Sequence, residues 1–204
     1  THKFLEHSFR NWRGMSESGG RRIKRSIHLD QASVRFLTDA EIEAFSRWEL
    51  LAPYMAEKRA EIEAWNARHP SEGGLVPHHR RLTNLGTLRA YLQAYLRRHA
   101  GIHQEMTFLV RQLAPGPEGV PMEIYVFTND TRWPAYEGIQ GDIFDHVLAT
   151  LPDFGLRVFQ RPTGADLAAL AAAGAERGFA ANAGSGSGAG SVTSGPAGEG
   201  AGAD

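Results

Sequence analysis

The 204-residue sequence contains no cysteine. That excludes disulfides, thiolate zinc sites, iron–sulfur clusters and a cysteine nucleophile. It suits a reducing compartment. Long apolar runs are missing too: no stretch approaches the roughly 18–20 consecutive apolar residues that cross a bilayer. Thr1 to Arg25 lacks the apolar centre of a signal peptide. Neither sign of charge dominates, since 22 Lys and Arg face 23 Asp and Glu for a formal net charge of -1. Global charge therefore draws the chain neither to nucleic acid nor to acidic lipid. There is no HExxH, calcium-loop or Walker pattern, and no Ser in a Gly-x-Ser-x-Gly elbow.

What is present looks globular. Apolar residues make up 42% and charged residues 22%, both ordinary for a folded domain. The length suffices to bury a core without staples. The chain opens on Thr rather than Met, in a stretch that already reads as packed structure. Either the chain is trimmed or it is the downstream part of a longer protein.

The period of the apolar residues organises the chain. Phe4, Phe9 and Trp12 mark short strands before Gly19-Gly20. Ile23 to Leu29 alternates as a strand, with Ile23, Arg25, Ile27 and Leu29 on one side. Thr38-Asp39-Ala40-Glu41 is a capping box for a helix carrying Ile42, Phe45 and Trp48. Pro53 suits the first turn of a second helix, which carries Met55, Ile62 and Trp65 and stops by Pro70. Ser71 to His79 reads as loop. Thr87 is read as the cap of a third helix, whose stripe is Leu88, Tyr91, Leu92, Tyr95 and Leu96. Gly101 ends it.

Strands then follow at Thr107 to Leu113 and Met122 to Asn129, joined by a Pro/Gly turn into an antiparallel hairpin. Pro134 starts a helix with Tyr136, Ile139, Ile143, Val147, Leu148 and Leu151 on its buried face. Gly155 ends that unit, and Leu156 to Gln160 is the expected last strand. The order from Arg21 on is βαββαβ, the ferredoxin-like order, with right-handed crossovers and helices on one sheet face. Residues 38–70 read as a helical insertion in the first crossover. The expected class is α+β. Residues 167–175 are Ala-rich and favour a frayed helix. Ala181 to Asp204, nearly all Gly, Ala and Ser, has no apolar period and is expected to be disordered.

Few residues point to chemistry. Asp142 and His146 stand four apart in the string Asp142-Ile143-Phe144-Asp145-His146, on one helix face. They suit mutual orientation of a base or a shared divalent ion, or simply a solvent-facing ion pair opposite the apolar stripe. No nucleophile or third ligand accompanies them. His78 and His79 are adjacent and point apart, and Gly101 interrupts His99 and His103. Asn129-Asp130-Thr131 matches a glycosylation acceptor without a secretory signal. Arg10, Arg13, Arg21, Arg22, Lys24 and Arg25 form a basic cluster interleaved with Phe9 and Trp12. Such a cluster suits phosphate backbones, anionic headgroups or the acidic edge of a neighbouring subunit. No catalytic, cofactor-binding or metal-binding residue is assigned, no cofactor is implied, and no nucleic-acid partner is expected.

Longer strings go further. Asn11 to Ile27, with its Asn-Trp-Arg-Gly-Met and Glu-Ser-Gly-Gly-Arg-Arg-Ile-Lys-Arg-Ser-Ile runs, resembles the cytoplasmic region of the small-conductance mechanosensitive channel (MscS) family. The resemblance is to its YbdG-like miniconductance branch. Arg81-Leu82-Thr83-Asn84 with Gly86-Thr87, Val110 to Gly116 and Pro121 to Tyr125 fit that branch. So do Ile139-Gln140 with Asp142 to His146, and Gln160 with Pro162-Thr163-Gly164. The likeness runs in order over about residues 1 to 166.

The resemblance implies a homo-heptamer in the bacterial inner membrane, opened by tension to release solutes on hypo-osmotic shock. It implies that residues 1–20 end a β domain and that residues 21–163 form the αβ domain of a cytoplasmic vestibule, with its insertion at about 38–70. Residues 164–204 would be the disordered tail. The membrane spans and the pore helix are not in this sequence, so the parent chain is expected to carry apolar spans before Thr1. The family's short closing C-terminal strand has no clear match. The chain would not be an enzyme, and its partner would be itself. The alternative is a soluble ferredoxin-like ligand-sensing module. A metal-dependent hydrolase using Asp142 and His146 is a further rival.

Overall fold

The computed structural model describes residues 19–69, 79–166 and 168–169. The chain divides into two compact units, Thr1–Gln160 and Arg161–Asp204. The expectations for residues 4–15, for the loop at 71–78 and for the Gly/Ser tail beyond residue 170 lie outside the described residues.

The first unit mixes helices with a three-stranded antiparallel sheet, an α+β arrangement. Its strands are β1 (Arg21–Leu29), β2 (Leu109–Gln112) and β3 (Val120–Thr128), in the order β1-β3-β2. Alternation explains which side is buried. Ile23 faces Val126, Ile27 faces Met122 and Leu29 faces Val120, and all six are buried. Arg25 belongs to the same side but lies at the rim, its guanidinium 4.6 Å from the Phe144 ring centre. Lys24, Ser26, Glu123 and Tyr125 take the other side.

The expected strand at Leu156 to Gln160 is reduced to one bridge, Leu29 to Val158. Asp30 N donates to Arg157 O at 2.7 Å, and Phe159 N donates to His28 O at 2.8 Å. Pro162 has no N–H and cannot prolong the ladder.

Four helices accompany the sheet: α1 (Asp39–Ser46), α2 (Ala52–Ala67), α3 (Asn84–Arg98) and α4 (Trp133–Thr150). The capping box of α1 forms as read. Glu41 N donates to Thr38 Oγ1 at 3.3 Å, and Thr38 N donates to Glu41 Oε2 at 2.8 Å. Pro53 and Pro134 sit in the first turns of α2 and α4.

The cap of α3 is Thr83, not Thr87. Thr83 Oγ1 accepts from Gly86 N at 3.1 Å. Thr87 lies one turn inside and is fully buried, its hydroxyl donating to Thr83 O at 2.9 Å. On α4 the buried stripe takes Phe144, while Leu148 is 45% exposed. The stripe drifts round the helix because 3.6 residues make a turn. Gly155, at φ +62°, closes the following 3₁₀ turn, Leu151–Phe154. Among the described residues no helix is long and apolar enough to cross a membrane.

Residues 38–70 are no detachable addition. Phe45 of α1 stacks on the fully buried Phe154, centroids 5.0 Å apart and planes 13° apart. Trp48 meets Phe154 and Tyr91 edge-on, at 5.7 and 5.8 Å. Such aromatic pairs add about 0.5–1.5 kcal/mol beyond their buried area. Leu51 and Met55 are 0% exposed in the same core.

Of the second unit, a helical turn is described at residues 164–166. Thr163 caps it, its N–H and hydroxyl donating to Asp166 Oδ2 at 2.8 and 2.7 Å.

Candidate functional site at the α3–α4 seam

The apolar stripe of α3 places Tyr91 and Tyr95 one turn apart against α4. There they meet His146, not Asp142. The Tyr91 hydroxyl and His146 Nε2 share a hydrogen bond of 2.7 Å. The Tyr95 ring stacks on the imidazole at 4.3 Å and 18°. Thr150 Oγ1 donates to His146 O at 2.7 Å, one turn further on. Among the described residues no ion pair joins Asp142 to His146. Helical spacing brings the two onto one side, but the half-buried imidazole turns to the tyrosines and Asp142 stays exposed.

His99, the C-cap of α3, closes the seam. Its Nδ1 accepts from Gly101 N at 3.0 Å, and its ring meets Tyr95 edge-on at 5.8 Å. Burial holds the His99 imidazole below its ordinary pKa, while the Asp142 charge opposes that. Burial also pushes the phenols of Tyr91 and Tyr95 up. Their protonated forms are therefore favoured, the reverse of what a phenolate nucleophile needs. The seam can pack and hydrogen-bond. Among the described residues no group of three His, Asp or Glu side chains is placed to hold a metal ion.

The remaining candidates scatter. His78 lies outside the described residues, and His79 presents a buried Nε2 with no partner. His28 Nδ1 is buried and unpartnered in the same way. His103 accepts from Glu105 N at 3.3 Å, away from His99's contacts. Asn129 Nδ2 donates to Ala100 O at 2.6 Å, so that side chain ties the α3 exit to the sheet.

Of the basic cluster, Arg10 and Arg13 lie outside the described residues, as do Phe9 and Trp12. The described members find other aromatic partners. The Arg21 guanidinium lies 4.1 Å from the Trp133 ring centre and 4.3 Å from that of Tyr136. Arg22 lies 5.8 Å from that of Tyr125.

Three features had no signal in the sequence. A cavity of about 350 Å³ opens between α1, α2 and residues 80–82. Its floor includes Leu37, Ile62 and Leu82, and its rim includes Glu43, Arg59 and Arg80. The rim is partly neutralised, with Arg59 to Glu43 at 3.3 Å and Arg80 to Glu61 at 2.7 Å. Glu123 is 4% exposed on β3, and its Oε1 accepts from Arg111 Nε and Nη2 at 2.9 and 2.7 Å. Opposite charges across a ladder become visible only once the register is known. Asn84 is fully buried and links separate segments. No family model matches the sequence.

Proposed function

We propose that the chain is the cytoplasmic region of a tension-gated channel of the small-conductance mechanosensitive family. The observation that carries this reading is where the resembling strings fall in the fold. Arg21 to Ile27 lies in β1, Pro121 to Tyr125 in β3, and Ile139 to His146 in α4. Thr83 caps α3, and Asn84 ties its first turn to Ser33 and Phe154. The strings thus lie in the strands and helices that build the domain, which supports a structural rather than a chemical role.

The αβ domain is proposed to be ferredoxin-like. The antiparallel pairing of β3 with both β1 and β2 supports that order, and so does the Leu29 to Val158 bridge on the far edge of β1. The role is to build a vestibule with further copies and to filter solutes, with the parent in a bacterial inner membrane and this region cytoplasmic. Excised patches holding the full-length parent are expected to pass small currents under suction. Silent patches with confirmed protein insertion would overturn the reading.

The cavity between α1 and α2 favours a second reading, a ligand-sensing module. A saturable small molecule that raises the thermal midpoint, with the effect lost in Ile62→Trp, would support it over the first.

A further inference from the structure

β1 carries four cations, Arg21, Arg22, Lys24 and Arg25, and no carboxylate. α4 carries three carboxylates, Glu137, Asp142 and Asp145, and no Lys or Arg. Among the described residues none of these seven makes an ion pair within 4 Å. Arg22, Lys24 and the three acids are exposed. α4 also holds two large exposed apolar side chains: Trp133, under Arg21 of β1, is 57% exposed, and Leu148, beyond Asp145, is 45% exposed. Among the described residues only Val158 bridges to the outer edge of β1.

Simpler roles account for part of this. Charge on an edge strand repels foreign strands. Acids in the first turn of a helix favour its dipole, but Asp142 and Asp145 lie in the second half of α4, where the dipole gives no advantage. Neither role explains why the two surfaces carry opposite charge that no ion pair among the described residues neutralises.

We propose that the basic rim of β1 on one copy docks on the acidic outer face of α4 on a second copy. The partner is a second copy because the charge each surface lacks is the charge the other presents. This rests on the self-assembling reading above and assigns it a pair of faces. Electrostatic complementarity of this kind sets register and speeds encounter more than it adds affinity.

The test is sedimentation of the full 204-residue chain. At low salt it is expected to self-associate, and raising salt from about 20 to about 300 mM is expected to weaken that association about tenfold or more. R22E/K24E alone and E137K/D145K alone are expected to remain monomeric, since the first cancels the charge of β1 and the second turns α4 from acidic to basic. A 1:1 mixture of the two is expected to associate in pairs, because the unaltered β1 of the second variant then meets the unaltered α4 of the first. R22Q/K24Q gives a milder loss should the reversals disturb folding, which circular dichroism checks.

A wild-type chain that stays monomeric at low salt overturns the inference, including one that binds anionic vesicles or single-stranded RNA instead. So does association that both reversals leave unchanged. That last outcome would leave the channel reading standing with a different interface. Silent patches from the parent would remove the channel reading without touching a restored 1:1 mixture.

Discussion

Asn84 makes side-chain bonds to two stretches distant in sequence, residues 33–35 and Phe154, and to the adjacent Leu85 N. Its Nδ2 donates to Ser33 O at 2.9 Å and to Phe154 O at 3.2 Å, while its Oδ1 accepts from Arg35 N at 3.0 Å. Replacing it by Leu removes the partner of two carbonyls and two amides. The expected cost is about 2–4 kcal/mol, since each orphaned buried group costs about 1–3 kcal/mol and some relaxation follows. Urea unfolding would measure it, and a loss below about 1 kcal/mol would contradict the bonds described. Asn84→Asp is expected to be worse, because a carboxylate there faces two carbonyls and donates to neither.

Glu41 is the other residue with a readable signature. The bidentate Arg35 guanidinium, at 2.8 and 2.5 Å, holds its carboxyl at about 2, against an ordinary 4.5, aided by the Thr38 N–H and hydroxyl. A depressed carboxylate contributes stability above its unfolded value and loses it as pH falls through the folded one. The thermal midpoint is therefore expected to drop between about pH 4.5 and pH 2, with a shallower slope in Glu41→Gln. Identical slopes in the two proteins would refute the assignment.

At the scale of elements, period and punctuation revealed most of the architecture. Prolines in first turns, the Thr38 capping box and the stripe of α3 were legible because they are local. Misreadings arose where a neighbour decides. Thr83 and Thr87 both suit a cap, and only the packing of Thr87 into the core separates them. The chain after Gly155 has strand composition, yet only Val158 bridges to β1. The Asp142–His146 pair was legible as a spacing, but its chemistry was not, because Tyr91 and Tyr95 come from another helix.

The tight turn before β3 gives a prediction at this scale. Gly119 sits at φ +84°, and a Cβ there would lie 2.1 Å from Leu29 O. Gly119→Ala must shift backbone rather than a flexible side chain, in a region that L-residues seldom adopt. A loss of about 2–4 kcal/mol is expected on chemical denaturation, the range of backbone strain added to overpacking. Gly116→Ala, with nothing within 4 Å of its Cβ, is the control and should change stability little.

For the first unit as a whole, the core is shared between sheet, helices and the 38–70 segment. Deleting that segment would remove Phe45, Trp48, Leu51 and Met55 together and leave Phe154 facing water. β3 lies between β1 and β2, with Ile124 and Val126 0% exposed. Its amides are expected to exchange with solvent last, in the slowest cooperative unit, and those of the short outer strand β2 sooner. Mass spectrometry of deuterium uptake would check this, and a β2 slower than β3 would contradict it.

The nine-pair ladder between β1 and β3 also bears on mechanical load. The chain meets β1 at Arg21 and passes the far end of that strand at Val158, about 26 Å away at roughly 3.3 Å per residue. Force applied between residues 20 and 160 therefore runs along the strand and loads the ladder's hydrogen bonds together, in shear. Force applied between residues 20 and 128 opens the same ladder from the Arg21–Thr128 end, one pair at a time, as a zip. A single-molecule stretching experiment should find a higher rupture force for the first geometry than for the second. A protein that transmits tension would be stiffest along the direction in which its first strand is pulled.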